Sequence, residues 1–379
     1  MGTIAHVIGF IKMKESEECF VKTVLRKTVL RKALSVLLAL CLCTALMPFS
    51  VLGEGGDVCE IVGGGTFTTL GEALDVVQDG GTIRLLDNIN YSSGIVIKDK
   101  SITFKLNGYN LNVDNPLTEG SYEERTGLYM EGNAAVGLEG EGEFNVKGNK
   151  YGVFVYVEGG AAAAATVTNA AAAGNDGCAA NAYGENAVIT VKGNATATGI
   201  GGIGATASSL GLITVKGNVI ATADHFSGEN DRAAVTAWDD GEVIVEGNVT
   251  ATGTKSIGVL AAGSGVTVGG DVTGVLGGAY ATASAGIEIA GNVCSTDASG
   301  FGVQAIDNCS IDVGGNVQSG GTGAVLTGVP ELDSPSEITI DGVITAPDYI
   351  QIGESTLDVD DYVLDSDLMP GYRIRIKYI

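Results

Sequence analysis

The chain has 379 residues, of which 58 are glycine and 6 proline, with 45% hydrophobic side chains and a formal net charge of −24. Glycine without a three-residue period and so little proline exclude a collagen-like rod, and the apolar content excludes a disordered chain. So acidic a surface repels phosphates, so no nucleic-acid partner is expected.

Residues 1–53 differ in composition from the rest. Lys22, Arg26, Lys27, Arg31 and Lys32 precede an apolar run from Ala33 to Leu46, and Val51 and Gly53 supply small residues for cleavage. This is the pattern of a signal peptide with an extended basic region. The run is shorter than the roughly 20 residues of a membrane-spanning helix, so no stable membrane insertion is expected after cleavage. Cys41 and Cys43 are each preceded by Leu rather than by the small residue of a lipoprotein signal. The mature protein is expected to begin near Glu54 and to be secreted or held at the cell surface. It would keep 14 basic and 42 acidic side chains, a net charge of −28.

From Thr69 to Gln78 the apolar residues Leu70, Ala73, Leu74 and Val77 recur at helical spacing after a threonine N-cap. This segment is expected to cap the first coil. Strands are expected at 82–86, 94–97 and 101–106. A phrase then returns repeatedly: FNVKGN at 144–149, ITVKGNA at 189–195, ITVKGNV at 213–219, VIVEGNV at 243–249, VTVGGDV at 266–272, IEIAGNV at 287–293, IDVGGNV at 311–317 and a worn ITIDGVI at 338–344. A degenerate copy, ATVTN, stands at 165–169. The steps of 21 to 30 residues signal a solenoid.

Within each phrase apolar and polar residues alternate, as in a strand with one buried face. A second β phrase lies between the copies (AAVTA at 233–237, IGVLA at 257–261, AYATA at 279–283, FGVQA at 301–305, GAVLT at 323–327), with no helical period and no leucine-rich frame. The expected fold is therefore all-β, a right-handed parallel β-helix over residues 54–345 with a short N-terminal capping helix. Val215, Val245, Val268, Ile289 and Val313 should stack inside on one sheet. Asn149, Asn194, Asn218, Asn248, Asn292 and Asn316, with Asp271, should form a structural column that hydrogen-bonds from coil to coil and tolerates a tight left-handed turn. Residues 346–379 should close the stack with strands at 349–352, 361–364 and 372–379. Of the cysteines past residue 53, Cys59, Cys178, Cys294 and Cys309, none shows zinc-site spacing, and Cys294 and Cys309 would meet only if the winding brought them together.

The stretch TFTTLGEALDVVQDGGTIRLLDNI followed by GIVIKDKSITFKLNGYNLNV, continued by the Gly-Asn phrases, resembles exported Gram-positive proteins of the pectate-lyase-like β-helix superfamily over residues 61 to about 345. The resemblance implies the fold; the superfamily serves lyases, hydrolases, adhesins and passive surface proteins alike. Asp239-Asp240 and Arg375-Ile376-Lys377 look like two parts of a polygalacturonase-like site. His225, however, precedes the Asp pair and lies in no Gly-His-Gly, and no Arg or Lys stands beside an Asp cluster as in pectate lyases. No catalytic residue, metal site or cofactor is implied.

The favoured reading is a noncatalytic, adhesin-like or glycan-binding β-helix, with a polysaccharide or a host or cell-surface glycan or protein as partner. The alternative is a carbohydrate-active enzyme, a polysaccharide lyase or glycoside hydrolase, with an unfamiliar site. In AAVTAW, with Ala233, Val235 and Ala237 inward, Thr236 and Trp238 point outward. Aligned copies place Phe154, Thr206, Thr236, Leu260, Tyr280, Gln304 and Leu326 in one outward column. The candidate binding residues are Phe154, Trp238, Asp239, Asp240, Leu260, Tyr280 and Leu326, unless a covering segment turns this stripe into a second small core.

Overall fold

A computed structural model describes residues 56–224, 233–328, 336–353, 355–357 and 372–376; in the last two stretches only the backbone and the Ile374 side chain are described. The chain divides into Met1–Gly56 and Asp57–Ile379. The expected leader, together with His225 and Lys377, lies outside the described residues. So does residue 361–364, the middle of the three expected closing strands.

From Asp57 onward the chain winds as a parallel β-helix of about 11 turns. Its three sheets contain 14, 11 and 12 strands. Each coil gives one strand to each sheet. The ITVKGN-type phrases form the first sheet: Ala187–Val191, Leu212–Val215, Glu242–Val245, Gly265–Val268, Gly286–Ile289 and Ser310–Val313 lie side by side in parallel. Val215, Val245, Val268, Ile289 and Val313 stand opposite one another, none more than 2% exposed. The alternation of apolar and polar side chains dictates this, since only one face of each strand can meet the interior.

The Gly-Asn pair at the end of each phrase locks neighbouring coils together. The Asn194 backbone N–H donates to Asn169 Oδ1 at 2.8 Å, and the same bond recurs from Asn218 to Asn194, Asn248 to Asn218, Asp271 to Asn248, Asn292 to Asp271 and Asn316 to Asn292 at 2.7–2.9 Å. Val343 N–H ends the ladder on Asn316 Oδ1 at 2.9 Å. The glycine before each Asn is a matter of room. A Cβ on Gly217 would lie 2.6 Å from both Asn194 Oδ1 and the Gly193 carbonyl, and one on Gly315 would lie 2.6 Å from the Gly291 carbonyl. The column is the expected one from Asn194 onward, and its physical basis is the side-chain acceptor, to which Nδ2 of the residue one coil later also donates at Asn292 and Asn316. None of these Asn residues has a left-handed backbone.

One copy sits elsewhere. Phe144–Gly148 belongs to the second sheet, between Leu111–Asp114 and Asn169–Ala172, so Asn149 is outside the ladder and Asn169, from the ATVTN copy, heads it. A period of two fixes which side chains are buried but not which sheet a strand joins. A separate amide ladder, Asn90, Asn112, Asn145 and Asn169, runs along the outer face of the second sheet at 2.8–3.0 Å.

The interior tapers in chemistry. Early coils hold Phe104 and Phe144 with ring centroids 5.1 Å apart, whereas the middle coils are filled by Val and Ala. The one helix among the described residues, α1 (Leu70–Val76), begins at N-cap Thr69 with a complete capping box to Glu72 and buries Leu70 and Ala73 in the core. Such a cap stabilises a helix by about 1 kcal/mol, which matters for a helix of only two turns. No described helix is long and apolar enough to cross a membrane. At the start of the stack Cys59–Ile61 pairs antiparallel with Gly81–Leu85 and Thr66–Phe67. At the far end Asp348–Ile352 and Tyr372–Ile376 extend the third and first sheets in parallel, and Ser355–Leu357 turns back antiparallel. The four described cysteines are free: Cys294 pairs across from Thr273 and Gln318 in the second sheet, while Cys309 precedes a strand of the first.

The ladder makes a prediction. Asn248→Ala leaves the Asp271 N–H without its acceptor and should cost about 1–3 kcal/mol in chemical denaturation. Asn248→Asp, which keeps an oxygen in place as Asp271 does, should cost clearly less. Equal losses would remove the acceptor from its assigned role.

Candidate functional site

The outer face of the third sheet carries the groups with binding chemistry. Each full strand there has six positions, as in Tyr151–Tyr156, Cys178–Tyr183, Ile203–Ser208, Ala233–Trp238, Ile257–Ala262 and Gly277–Thr282. The third and fifth positions face the core; the fourth and sixth face outward. The second position also turns inward and takes Gly or Ala, because a Cβ on Gly258 or Gly302 would run into a core valine, Val272 or Val317. Alternation therefore breaks at the start of the strand. Ala233 is not an inward residue of the main core but packs with outer-face residues, and Ala234 takes the inward place.

The fourth-position column runs Val96, Tyr129, Phe154, Asn181, Thr206, Thr236, Leu260, Tyr280, Gln304, Val325 and Gln351. Leu326 is the correction. It pairs with Ala305, is fully buried inside, and leaves the outward place to Val325. Reading GAVLT from Gly323 instead of Thr322 slips the register by one residue, which exchanges the two faces. The sixth-position column runs Lys98, Glu131, Tyr156, Tyr183, Ser208, Trp238, Ala262 and Thr282.

This register gathers six aromatic rings on the early coils. Phe154 lies 4.6 Å from Tyr151, 5.6 Å from Tyr129 and 6.0 Å from Tyr156 between ring centroids. Tyr122 meets Tyr151 edge-on at 5.8 Å, and Tyr156 stacks on Tyr183 at 5.3 Å with planes 18° apart. Tyr122 is 58% and Tyr183 38% exposed. Cations border the patch: Lys98 lies 5.3 Å from the Tyr129 ring centre, Arg125 5.5 Å from Tyr122 and Lys150 5.7 Å from Tyr151. Lys98 also bridges Glu123 and Glu131 at 2.7 and 2.9 Å, which raises its affinity for the proton. Only Phe154 of this group was singled out by the repeat. The available signal was the alternation of YGVFVY with GLYM before it and CAANAY after it; CAANAY lacks the valine that marks the other copies.

The later half of the face is different. Ala233, Ile257 and Leu260 form a second buried cluster, with Trp238, Ala262, Tyr280 and Phe301 packed against it; Tyr280 and Phe301 centroids are 6.2 Å apart. Leu260 and Thr236 point away from the core yet are 3% and 2% exposed. Asp239 and Asp240 are exposed and form the corner into the next first-sheet strand, both with left-handed backbone (φ 47° and 60°). Ser209-Leu210, Ala283-Ser284 and Asp307-Asn308 turn the same way on other coils. The Asp pair that resembled part of a polygalacturonase-like site thus has a turn-forming duty, which short polar side chains perform well. Arg375 lies on the closing first-sheet strand. No group of three or more metal-binding side chains occurs among the described residues.

The proton affinities of the tyrosines yield a prediction. Burial and the Glu131 charge push Tyr129 up to about 12, and a hydrogen bond donated to the Glu158 carboxylate does the same for Tyr156. An ordinary tyrosine loses its proton near about 10. Between these values the unfolded chain releases protons that the folded chain keeps, so the contribution of these two tyrosines to stability is constant below about pH 10 and is lost as pH rises toward 12. The melting temperature of a Tyr129→Phe/Tyr156→Phe variant should fall less than that of the parent across this window. Parallel curves would contradict the assignment.

Comparison with protein-family models, curated proteins and solved structures found no match for the chain.

Proposed function

We propose that the chain is a noncatalytic, secreted or cell-surface β-helix of the pectate-lyase-like kind that binds glycans through the aromatic outer face of its third sheet. The observation that carries this reading is the patch of Tyr122, Tyr129, Tyr151, Phe154, Tyr156 and Tyr183, six rings gathered on the early coils of one outer face. A solvated sheet face is ordinarily polar, and an aromatic patch that reaches solvent at Tyr122 and Tyr183 marks an interaction surface. Sugar rings offer apolar C–H faces to aromatic side chains and hydroxyl donors to carboxylates, which Glu131 and Glu158 supply at the edge of the patch. The basic stretch and apolar run of residues 22–46 support export. The roles of the Asp239-Asp240 turn and of the structural ladder favour binding over catalysis, since they account for the conspicuous polar repeats without a reaction.

The test is a glycan array and a cell-adherence assay with the exported chain, beside a Tyr151→Ala/Tyr156→Ala variant checked by circular dichroism. Binding should fall at least about tenfold, roughly 1.4 kcal/mol, with the β-sheet spectrum intact. Retention of no glycan by the parent, or unchanged binding by the variant, would overturn the proposal.

A further inference from the structure

The sixth-position column of the third sheet places a small residue between two aromatic ones. Ser208 pairs with Tyr183 on the coil before it and with Trp238 on the coil after it. Tyr156 and Tyr183, one coil apart, have centroids 5.3 Å apart and planes only 18° from parallel. Rings so related turn their faces along the column. The second face of Tyr183 is therefore directed toward the Ser208 coil, consistent with its 38% exposure. Trp238 packs against the cluster of Ala233, Ile257 and Leu260, on and beyond its own coil, and stays partly exposed beside Ser208. Coils repeat at about 4.8 Å, so Tyr183 and Trp238 are anchored about 9.5 Å apart, with a serine as the floor between them.

That spacing selects an occupant. A flat ring between two aromatic faces needs about 7 Å, two contacts of about 3.5 Å, and would leave the slot loose. A puckered sugar ring is thicker, and its C–H groups can touch both walls while its hydroxyls reach the Ser208 hydroxyl. The charge of the chain, −24 overall, disfavours an acidic sugar. We infer that Tyr183, Ser208 and Trp238 form a slot that holds one pyranose ring of a neutral glycan. This rests on the glycan-binding reading of the same face and names the ligand class and the position on it.

Trp238 is the only tryptophan of the chain, so its fluorescence reports on the slot directly. The full exported chain is titrated with cellopentaose, xylopentaose and mannopentaose as neutral probes and trigalacturonate as the acidic one. At least one neutral probe should produce a saturable change in Trp238 emission that persists at high salt. Ser208→Phe fills the slot with a third ring and should abolish that change while the melting temperature stays level or rises. Ser208→Ala, which leaves the slot open, should weaken binding by less than about tenfold. Glycan binding on the array that survives Ser208→Phe would overturn the slot while leaving the glycan-binding reading standing. No response to any neutral probe, or a response to trigalacturonate alone that salt suppresses, would also overturn it.

Discussion

The structure depends on one repeated hydrogen bond, that from the backbone N–H of one coil to the side-chain oxygen of the Asn or Asp one coil earlier. Parallel strands bond to their neighbours along their whole length, yet uniform strands of Val, Thr and Ala slip easily because each register resembles the next. The ladder from Asn169 to Val343 removes that freedom at one corner of each coil it spans. Each such bond stabilises by about 1 kcal/mol, and breaking one leaves a polar group unpaired at a larger cost. The glycine beside each acceptor completes the device, since any side chain there would occupy the space of the oxygen below.

Once two coils are in phase at any corner, every other column between them follows. The small second position of the third-sheet strand lies against a core valine, and two residues on, the outward column begins. Aromatic side chains placed at the same position of successive strands then meet without further provision, as Tyr129, Phe154, Tyr156 and Tyr183 do. Where rings one coil apart stack, as Tyr156 and Tyr183 do, the column presents edges to solvent and faces only where it is interrupted. Ser208 is such an interruption. A binding surface on this fold is thus specified as much by where aromatic residues stop as by where they occur.

Much of the fold is legible in the sequence because the repeat is strict where physics is strict. The valines of the first sheet and the Asn acceptors recur at fixed offsets, and the threonine cap with Glu three residues later announces α1. What escapes is information carried only by pairing. FNVKGN has the alternation of its relatives but lies in the second sheet. GAVLT, read one residue late, sends Leu326 to the wrong face. The left-handed corners accept Leu210 and Ala283 as well as Asp, so Asp239 and Asp240 resemble chemistry when their duty is geometric. The aromatic patch escapes for the same reason. Its members come from three strands and a preceding turn, and no local pattern shows that they converge.

Register between coils sets every outward column, and engineered disulfides read that register out. Thr190 and Thr214 stand opposite each other on adjacent first-sheet strands, their side chains toward solvent. The spacing of about 4.8 Å between neighbouring strands lies within the range a disulfide spans. A Thr190→Cys/Thr214→Cys variant should oxidise readily to one intramolecular bond seen by peptide mass mapping, with stability retained. A Thr190→Cys/Leu212→Cys variant, offset by two residues, should remain reduced under the same conditions. Faster closure of the offset pair would contradict the ladder-fixed register on which the site rests.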